Sequence, residues 1–514
     1  MISPYVKSFI KRDFKRSLFP LSSVPKFVDK GLGKMGKYIS TNIFGKSGTF
    51  QTANSFLSSK DKTTFRRVQV LDPFASVFFY DFMYRNWKAF PLTKNNERQS
   101  YGYAFKNGCL VTAFDGYHDF RRRKYSLKAK YTYYAKIDVR DCFNSFNHED
   151  LARFIFSVVK HEDGKAFEKF LHDINVGNPH CTFPQGIYPA KALGNGYLSF
   201  IEKSKRLKSP AIIRFLDDIF LFSNKMSTLE DDLTIIEEML DQRGLVLNVT
   251  KTEYGDDFSD FEDRHIDDIK KALLARREEE VDYDDDDEDD DEDVDDEDDG
   301  DDSDEDGYDR DFEGLTAEEL EYLEALIQSK DVAEEDVELA LSLLKYDEEK
   351  AFELISMVID SYPNLLKNVY TYLEDTDYIG DFSRCIGKRL ISNKVTEHEL
   401  FWLSKIVIDC YEMNKHTADI LNKAYHAPAA TDIVRALILE AEDEEGHLMP
   451  LKESALNNIE ESLAASSLIV GLKNLHRTDR RAAYKKISDI GPGYKTLCSL
   501  MLIDDADSSS PFEF

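Results

Sequence analysis

Between Glu278 and Asp311, 26 of 34 residues are Asp or Glu and only Arg310 is basic. A run of this kind repels itself and holds almost nothing to bury, so it is expected to be a disordered linker. The chain must therefore fold on either side of it, and the run marks the main domain boundary. The 514 residues suffice for several domains, each with its own core, without help from disulfides or a structural metal.

The acidic run also distorts the charge balance. The net charge is −32, yet residues 1–130 hold 25 Lys and Arg against 8 Asp and Glu, a surplus of 17. Residues 131–277 hold 20 against 25, residues 278–311 hold 1 against 26, and residues 312–514 hold 20 against 39. Aromatic residues are interleaved with the basic ones: Phe14, Tyr38, Phe65, Tyr101, Tyr103, Phe105, Phe120 and Tyr125. Basic and aromatic residues mixed in this way are the footprint of phosphate-backbone binding, densest at Arg121-Arg122-Arg123-Lys124.

Other classes are excluded. At 42% hydrophobic and 32% charged residues the composition is that of a soluble globular protein. No apolar run approaches the roughly 20 residues of a membrane span, so no membrane partner is expected. Residues 1–19 carry Lys7, Lys11, Arg12, Lys15 and Arg16 without an apolar stretch, unlike a secretory leader, and a cytoplasmic location follows. The six cysteines (109, 142, 181, 385, 410 and 498) form no C-x-x-C pair, and the histidines show no metal-binding spacing.

From Arg66 to Phe222 short alternating runs mix with helical stretches, an α+β pattern. Beyond Leu315 apolar positions recur at helical spacing over 318–327, 337–344, 350–359, 397–411, 432–441 and 459–475, with no strand signal. Helices joined by short loops suggest an all-α helical-repeat or bundle domain without a strict period.

The sharpest local feature is Ala211–Ser223, AIIRFLDDIFLFS: two β-prone apolar runs flanking Asp217 and Asp218. Asp is a common turn residue, so the pair alone decides little. A second strand-like run, Tyr133–Val139, delivers Asp138, and a helix follows from His148 with Asn147 as N-cap. Three carboxylates at strand ends suit Mg²⁺, which takes a few carboxylates together with substrate phosphates. Two such ions, roughly 4 Å apart, activate an attacking 3′-oxygen and stabilise leaving pyrophosphate.

The order of these elements resembles that of a reverse transcriptase. Phe65-Arg66-Arg67-Val68 precedes Pro73; Ser100-Tyr101-Gly102-Tyr103 follows; then come Asp138-Val139-Arg140-Asp141-Cys142-Phe143, Pro184-Gln185-Gly186 with Leu193, Asn195 and Leu198, Arg214-Phe215-Leu216-Asp217-Asp218, and Gly244-Leu245-Val246-Leu247-Asn248 with Lys251-Thr252. The resemblance covers about residues 60–255. It implies a right-hand polymerase with fingers and palm of the reverse-transcriptase type, followed by the all-α helical-repeat domain. On it, residues 1–130 are basic N-terminal segment and fingers, 131–258 palm, 259–277 a helical extension, 278–311 the linker and 312–514 the helical domain.

The resemblance implies catalytic, metal-binding carboxylates at Asp138, Asp217 and Asp218, with the Val139 carbonyl joining them on two Mg²⁺ ions, or on Mn²⁺ as a substitute. Asp141 and Phe143 would line the nucleotide pocket, Phe143 filling the volume of a ribose 2′-hydroxyl and so favouring dNTPs. Arg66 or Arg67 would clamp the triphosphate, as a planar guanidinium can. Gln185 and Gly186 would hold nucleotide and template, and Lys251 could protonate pyrophosphate. Two departures stand out: Pro189-Ala190-Lys191 replaces the usual Ser-Pro, and Phe215-Leu216 precedes the paired acids.

Val249-Thr250 is followed by Lys251 rather than the Gly usual in retron enzymes, and the C-terminal part lacks the basic character of a group II intron maturase. A palm followed by helices looks like the bacterial abortive-infection and defence-associated reverse transcriptases. That resemblance implies an antiphage polymerase, protein-primed and template-independent, whose DNA product is attached covalently to a tyrosine in a homo-oligomer. Tyr5, Tyr38, Tyr283 and Tyr308 lie where a flexible or donated segment is expected, the first two in the preferred basic region. The alternatives are an RNA-templated enzyme copying a partner noncoding RNA, and a catalytically silent RNA-binding or phage-sensing scaffold. The acidic run could also fold back as a nucleic-acid mimic over the basic region.

Overall fold

A computed structural model describes residues 2–258 and 337–502, apart from 61–63, 96, 107, 179–182, 338–339, 342–347, 375–381, 391 and 393. The acidic run, the expected extension 259–277, the expected helix 318–327, Tyr283 and Tyr308 lie outside the described residues.

The centre is a six-stranded sheet in the order β12-β7-β10-β9-β4-β3. Its members are β3 (Lys94–Asn95), β4 (Arg98–Tyr101), β7 (Tyr133–Ile137), β9 (Ala211–Phe215), β10 (Asp218–Ser223) and β12 (Glu253–Gly255). All neighbours are antiparallel except β4 and β9, which run parallel. Alternation along the strands divides the sheet cleanly. Ala135, Ile137, Ile212, Ile219 and Leu221 enter the large core, while Tyr134, Ala211, Ile213, Phe220 and Phe222 form a small one with Phe120 and Leu127 of α4 (Ala113–Lys128). The strands therefore read as continuous apolar runs, because both faces are covered.

The large core is built on the other face by α3 (Pro73–Arg85), α5 (His148–Val158), α6 (His161–Asn175), α7 (Tyr188–Tyr197) and α8 (Met226–Asp241). Asp72 caps α3 through the amides of Phe74 and Ala75, at 2.7 and 3.2 Å. Asn147 caps α5 through those of Glu149 and Asp150, the start that the spacing predicts. Basic helices α1 (Tyr5–Arg16) and α2 (Ser23–Tyr38) join the same core, and Asp13 of α1 accepts bonds from the Tyr80 hydroxyl and the Tyr188 amide.

The C-terminal residues are helical throughout their ordered elements, but they pack in two directions. The last helices, Leu463–Gly471, Arg477–Ser488 and Pro492–Met501, close the large core, the final one lying along α2. Helices Glu348–Ser361, Leu366–Glu374, Ser383–Leu390, Glu397–Cys410, Lys415–Tyr425 and Asp432–Glu440 share a second core with Phe19, Leu21, Phe56 and Val68. Phe56 and Val68 belong to the hairpin of β1 (Asn54–Ser59) and β2 (Phe65–Val70). The Leu57 amide of that hairpin donates to Glu397 at 3.1 Å, and Ser58 meets His398 at 3.3 Å. The helical part is thus joined to the β1–β2 hairpin by a shared apolar core.

Candidate active site

Asp217 and Asp218 sit where β9 turns into β10. Leu216, at φ 54°, makes the turn tight enough for Phe215 to pair with Asp218. On the next strand Ile219 pairs with Ile137, so one further step along the antiparallel register sets Asp218 across from Asp138. Residues opposite each other in such a ladder share a face, with Cβ atoms roughly 5 Å apart. Asp138 interrupts the strand between β7 and β8 (Val139–Arg140). Its carbonyl accepts from the Asn248 amide at 2.9 Å and its Oδ2 from Asn248 Nδ2 at 2.7 Å. Val139 pairs with Leu247 of β11 (Val246–Leu247), fixing the same junction from the other side.

The carboxylates act on one another. Burial pushes the Asp218 carboxyl up to about 6, and the charges of Asp217 and Asp138 add to the rise, against Lys136 and Lys251. Asp217 is raised by burial and by Asp138, against Arg66 and Lys60. Burial first, and the nearby Asp217 charge next, also push the Cys142 thiol up, so it stands as a neutral side chain behind the site. Among the described residues no three His, Cys, Asp or Glu side chains are drawn together into a ready metal cage. Asp217 and Asp218, held above their usual range by burial and by neighbouring negative charge, with the Asp138 carboxylate across the ladder, are nevertheless the donor set a divalent cation relieves. Asp138, Asp217 and Asp218 therefore fit Mg²⁺.

The remaining predicted residues fall around this cluster to different degrees. Arg66 is exposed on β2 and its charge reaches Asp217, whereas Arg67 is half-buried and its carbonyl accepts from Gln185 Nε2 at 2.7 Å and Asn144 Nδ2 at 3.3 Å. Gln185 thus ties α7's entry to the hairpin, with Gly186 close under Val68. Asp141, at φ 46°, holds Asn144 at 2.8 Å and starts the short helical turn Cys142–Ser145. Phe143 is only 7% exposed, packed on Phe146 and against Gly194, where an added Cβ would meet the Phe143 ring at 2.7 Å. Lys251 is exposed and its charge reaches Asp218.

Of the tyrosines, Tyr5 is 70% exposed on the first turn of α1, near Tyr84. Tyr38 is half-buried, packs on Phe74 at 4.4 Å and lines a cavity of about 400 Å³ with Asp72 and Tyr494. The basic cluster on α4 is partly engaged: Arg123 pairs with Glu97 and Arg122 with Asp119.

Four residues were not singled out from the sequence as site residues. Asn248 holds Asp138; Arg214, Glu202 and Asn195 lie beneath the turn. Burial alone would raise Glu202, but the Arg214 guanidinium holds it below its ordinary range. Asn195, Arg214 and Asn248 stand in the motifs that carry the resemblance, but without a role; Glu202 carried no signal.

A tight turn presenting two acids beside a third on the adjacent strand, within electrostatic reach of Arg66, Lys60, Lys136 and Lys251, is the candidate active site. Residues 84–283 match the family model of reverse transcriptase (RNA-dependent DNA polymerase), so this stretch carries the domain of RNA-directed DNA polymerases, which are nucleotidyltransferases. No curated protein matches the sequence. Among solved structures, apo telomerase from Candida tropicalis aligns at 10% identity over 91% of this chain and 72% of that one, with a TM-score of 0.32, too loose a similarity to transfer any role. Among the described residues no helix is long and apolar enough to cross a membrane.

Proposed function

We propose that the chain is an antiphage defence polymerase that links dNTPs into DNA at Asp138, Asp217 and Asp218. The observation that carries the chemistry is the register, continued one step past Ile219 and Ile137, that sets Asp218 opposite Asp138, with Asp217 in the turn from β9 into β10. Asp138, Asp217 and Asp218, with the Val139 carbonyl, would hold two Mg²⁺ ions, or Mn²⁺ in their place. Bound there, the ions would lower the pKa of the attacking hydroxyl and neutralise charge on the phosphates.

The protein's own groups divide the remaining work. Arg66 and Lys60, whose charges reach Asp217, lie on the side where the hairpin can grip a triphosphate. Lys251, whose charge reaches Asp218, would give a proton to departing pyrophosphate. Asn248 keeps the Asp138 carboxylate oriented through its Oδ2, and Gln185 fixes the hairpin strand that bears Arg66. Asp141 lines the nucleotide pocket, and Phe143, backed by Gly194, excludes the ribose 2′-hydroxyl.

The defence assignment is supported by architecture: a palm followed by helices in a stretch that is acidic, with 20 Lys and Arg against 39 Asp and Glu over residues 312–514. On this reading the enzyme acts in the cytoplasm as a homo-oligomer and is protein-primed and template-independent. Tyr5 is the better-exposed priming candidate among the two described. The test supplies purified protein with Mg²⁺ and labelled dNTPs, singly and mixed, and resolves the product on denaturing gels before and after protease and RNase. Label that stays with the protein and forms without RNA supports the reading. Protein-free DNA that vanishes after RNase pretreatment would replace it with copying of a partner noncoding RNA, and no incorporation would favour a silent scaffold.

A further inference from the structure

We infer that the buried Arg214–Glu202 pair is a positioning device for the Asp217–Asp218 turn, coupled through Asn195 to the end of strand β4; this rests on the polymerase reading above. Arg214 is 0% exposed, and all five of its N–H groups are used. Nε and Nη2 each donate to Glu202 at 2.9 Å. Nη1 donates to Asn195 Oδ1 at 2.8 Å and Nη2 to the Asn195 carbonyl at 2.9 Å. The fifth bond, also from Nη1, reaches the carbonyl of Leu216 at 2.9 Å. Glu202 takes a further bond from Thr93 at 2.9 Å, and Asn195 Nδ2 donates to the carbonyls of Tyr101 and Tyr103 at 2.9 and 3.2 Å.

Stability alone does not explain such a network. A buried ion pair gains little over well-packed apolar residues of the same volume, and replacing both partners together is often neutral or stabilising. What an apolar pair cannot do is hold a carbonyl in place. Leu216 is at φ 54°, a conformation that a leucine keeps only when its surroundings impose it. The bond from Arg214 falls on the residue immediately before Asp217. From the other side the same turn is gripped through Phe215, whose ring lies 3.0 Å from where a Cβ on Gly102 would stand, and Gly102, at φ 91°, lies between the two carbonyls that Asn195 holds. The acids and the end of β4 are thus fixed to one rigid, fully satisfied network.

The test compares wild type with the paired replacement Arg214→Met/Glu202→Leu and with Arg214→Lys, whose ammonium has three donors for five acceptors. Five quantities are read: thermal unfolding, amide exchange of the peptide spanning 215–218, Mn²⁺ affinity by electron paramagnetic resonance, kcat, and KM for dNTP. The paired variant is expected to unfold cooperatively near the wild-type temperature, with exchange at 215–218 faster by about 10-fold. Mn²⁺ affinity should fall by about 10-fold, and kcat by about 100-fold with KM for dNTP nearly unchanged. Arg214→Lys should fall between the two proteins in exchange and Mn²⁺ affinity. Wild-type exchange and Mn²⁺ affinity in the paired variant would overturn the inference, and so would its failure to unfold cooperatively, which would make the pair a stabilising element instead. If the wild type incorporates no dNTP, the polymerase reading fails separately, while exchange at 215–218 still decides the positioning role.

Discussion

Phe19 lies at the join between the β1–β2 hairpin and the C-terminal helices, and removing its ring gives a sharp test of that join. The ring stands edge-on to Phe56 of β1 at 4.0 Å and to Phe401 at 4.9 Å, and it is buried in a core that also holds Val68. Phe19→Ala would empty a site enclosed on both sides, at about 3–5 kcal/mol for the lost transfer energy and the cavity. The two edge-to-face contacts account for roughly 0.5–1.5 kcal/mol each beyond area burial. That sum is a large part of the ~5–15 kcal/mol by which domains are ordinarily stable.

The effect should appear on both sides of the contact, because neither the hairpin nor the Glu397–Cys410 helix retains its packing without the other. Urea unfolding followed by circular dichroism should show the loss, and amide exchange should accelerate together in peptides 54–70 and 397–410. As the hairpin also carries Arg66, the KM for dNTP should rise. A destabilisation below about 1 kcal/mol, or acceleration in only one of the two peptides, would refute the join.

Three further outcomes are expected. Arg66→Ala should weaken dNTP binding by about 1.5–3 kcal/mol, the range of a hydrogen bond to a charged group, whereas Arg67→Ala should cost less because the Arg67 carbonyl, not its side chain, is what Gln185 holds; KM values for the two variants check this. Gly194→Ala should push against the Phe143 ring and relax the choice of dNTP over NTP, and Phe143→Ala should relax it further, as competition between the two nucleotides would show. Burial lowers Lys452 to about 8 from 10.5, although its ammonium donates to the carbonyls of Ala441 and Gly471 at 2.7 and 2.9 Å. Between those pH values the unfolded chain binds the extra proton, so wild-type stability relative to Lys452→Met should rise with pH, by up to about 1.4 kcal/mol per unit; urea midpoints at pH 7.5 and 9.5 that differ by a constant amount would contradict this.

The hairpin of Ala211–Ser223 was legible because its two apolar runs and central acids leave the chain few alternatives, and Asn147 was legible as a cap because capping is local. Helix 397–411 is found almost as expected, but the stretch 459–475 becomes helical only from Leu463, after Ser462 accepts the Ala465 amide. What could not be read is what local pattern does not encode. Leu57 and Glu397 meet across 340 positions of sequence, and no periodicity announces the contact. The basic cluster on α4 illustrates the same limit for charge: a count shows four adjacent cations, but not that Arg123 is held by Glu97. At the site, the three carboxylates were visible as acids at strand ends, while Arg214 was visible as part of the motif ahead of them but its role was not, since its partners Glu202 and Asn195 come from other segments.

The most direct test of the account is incorporation of labelled dNTP by Asp138→Asn and Asp217→Asn, each nearly isosteric with the wild type, with folding checked by circular dichroism. Both variants should remain folded and lose incorporation by at least about 1,000-fold, the loss of several kcal/mol of transition-state stabilisation. Incorporation within about 10-fold of wild type by either variant would contradict the assignment of these carboxylates as the catalytic centre.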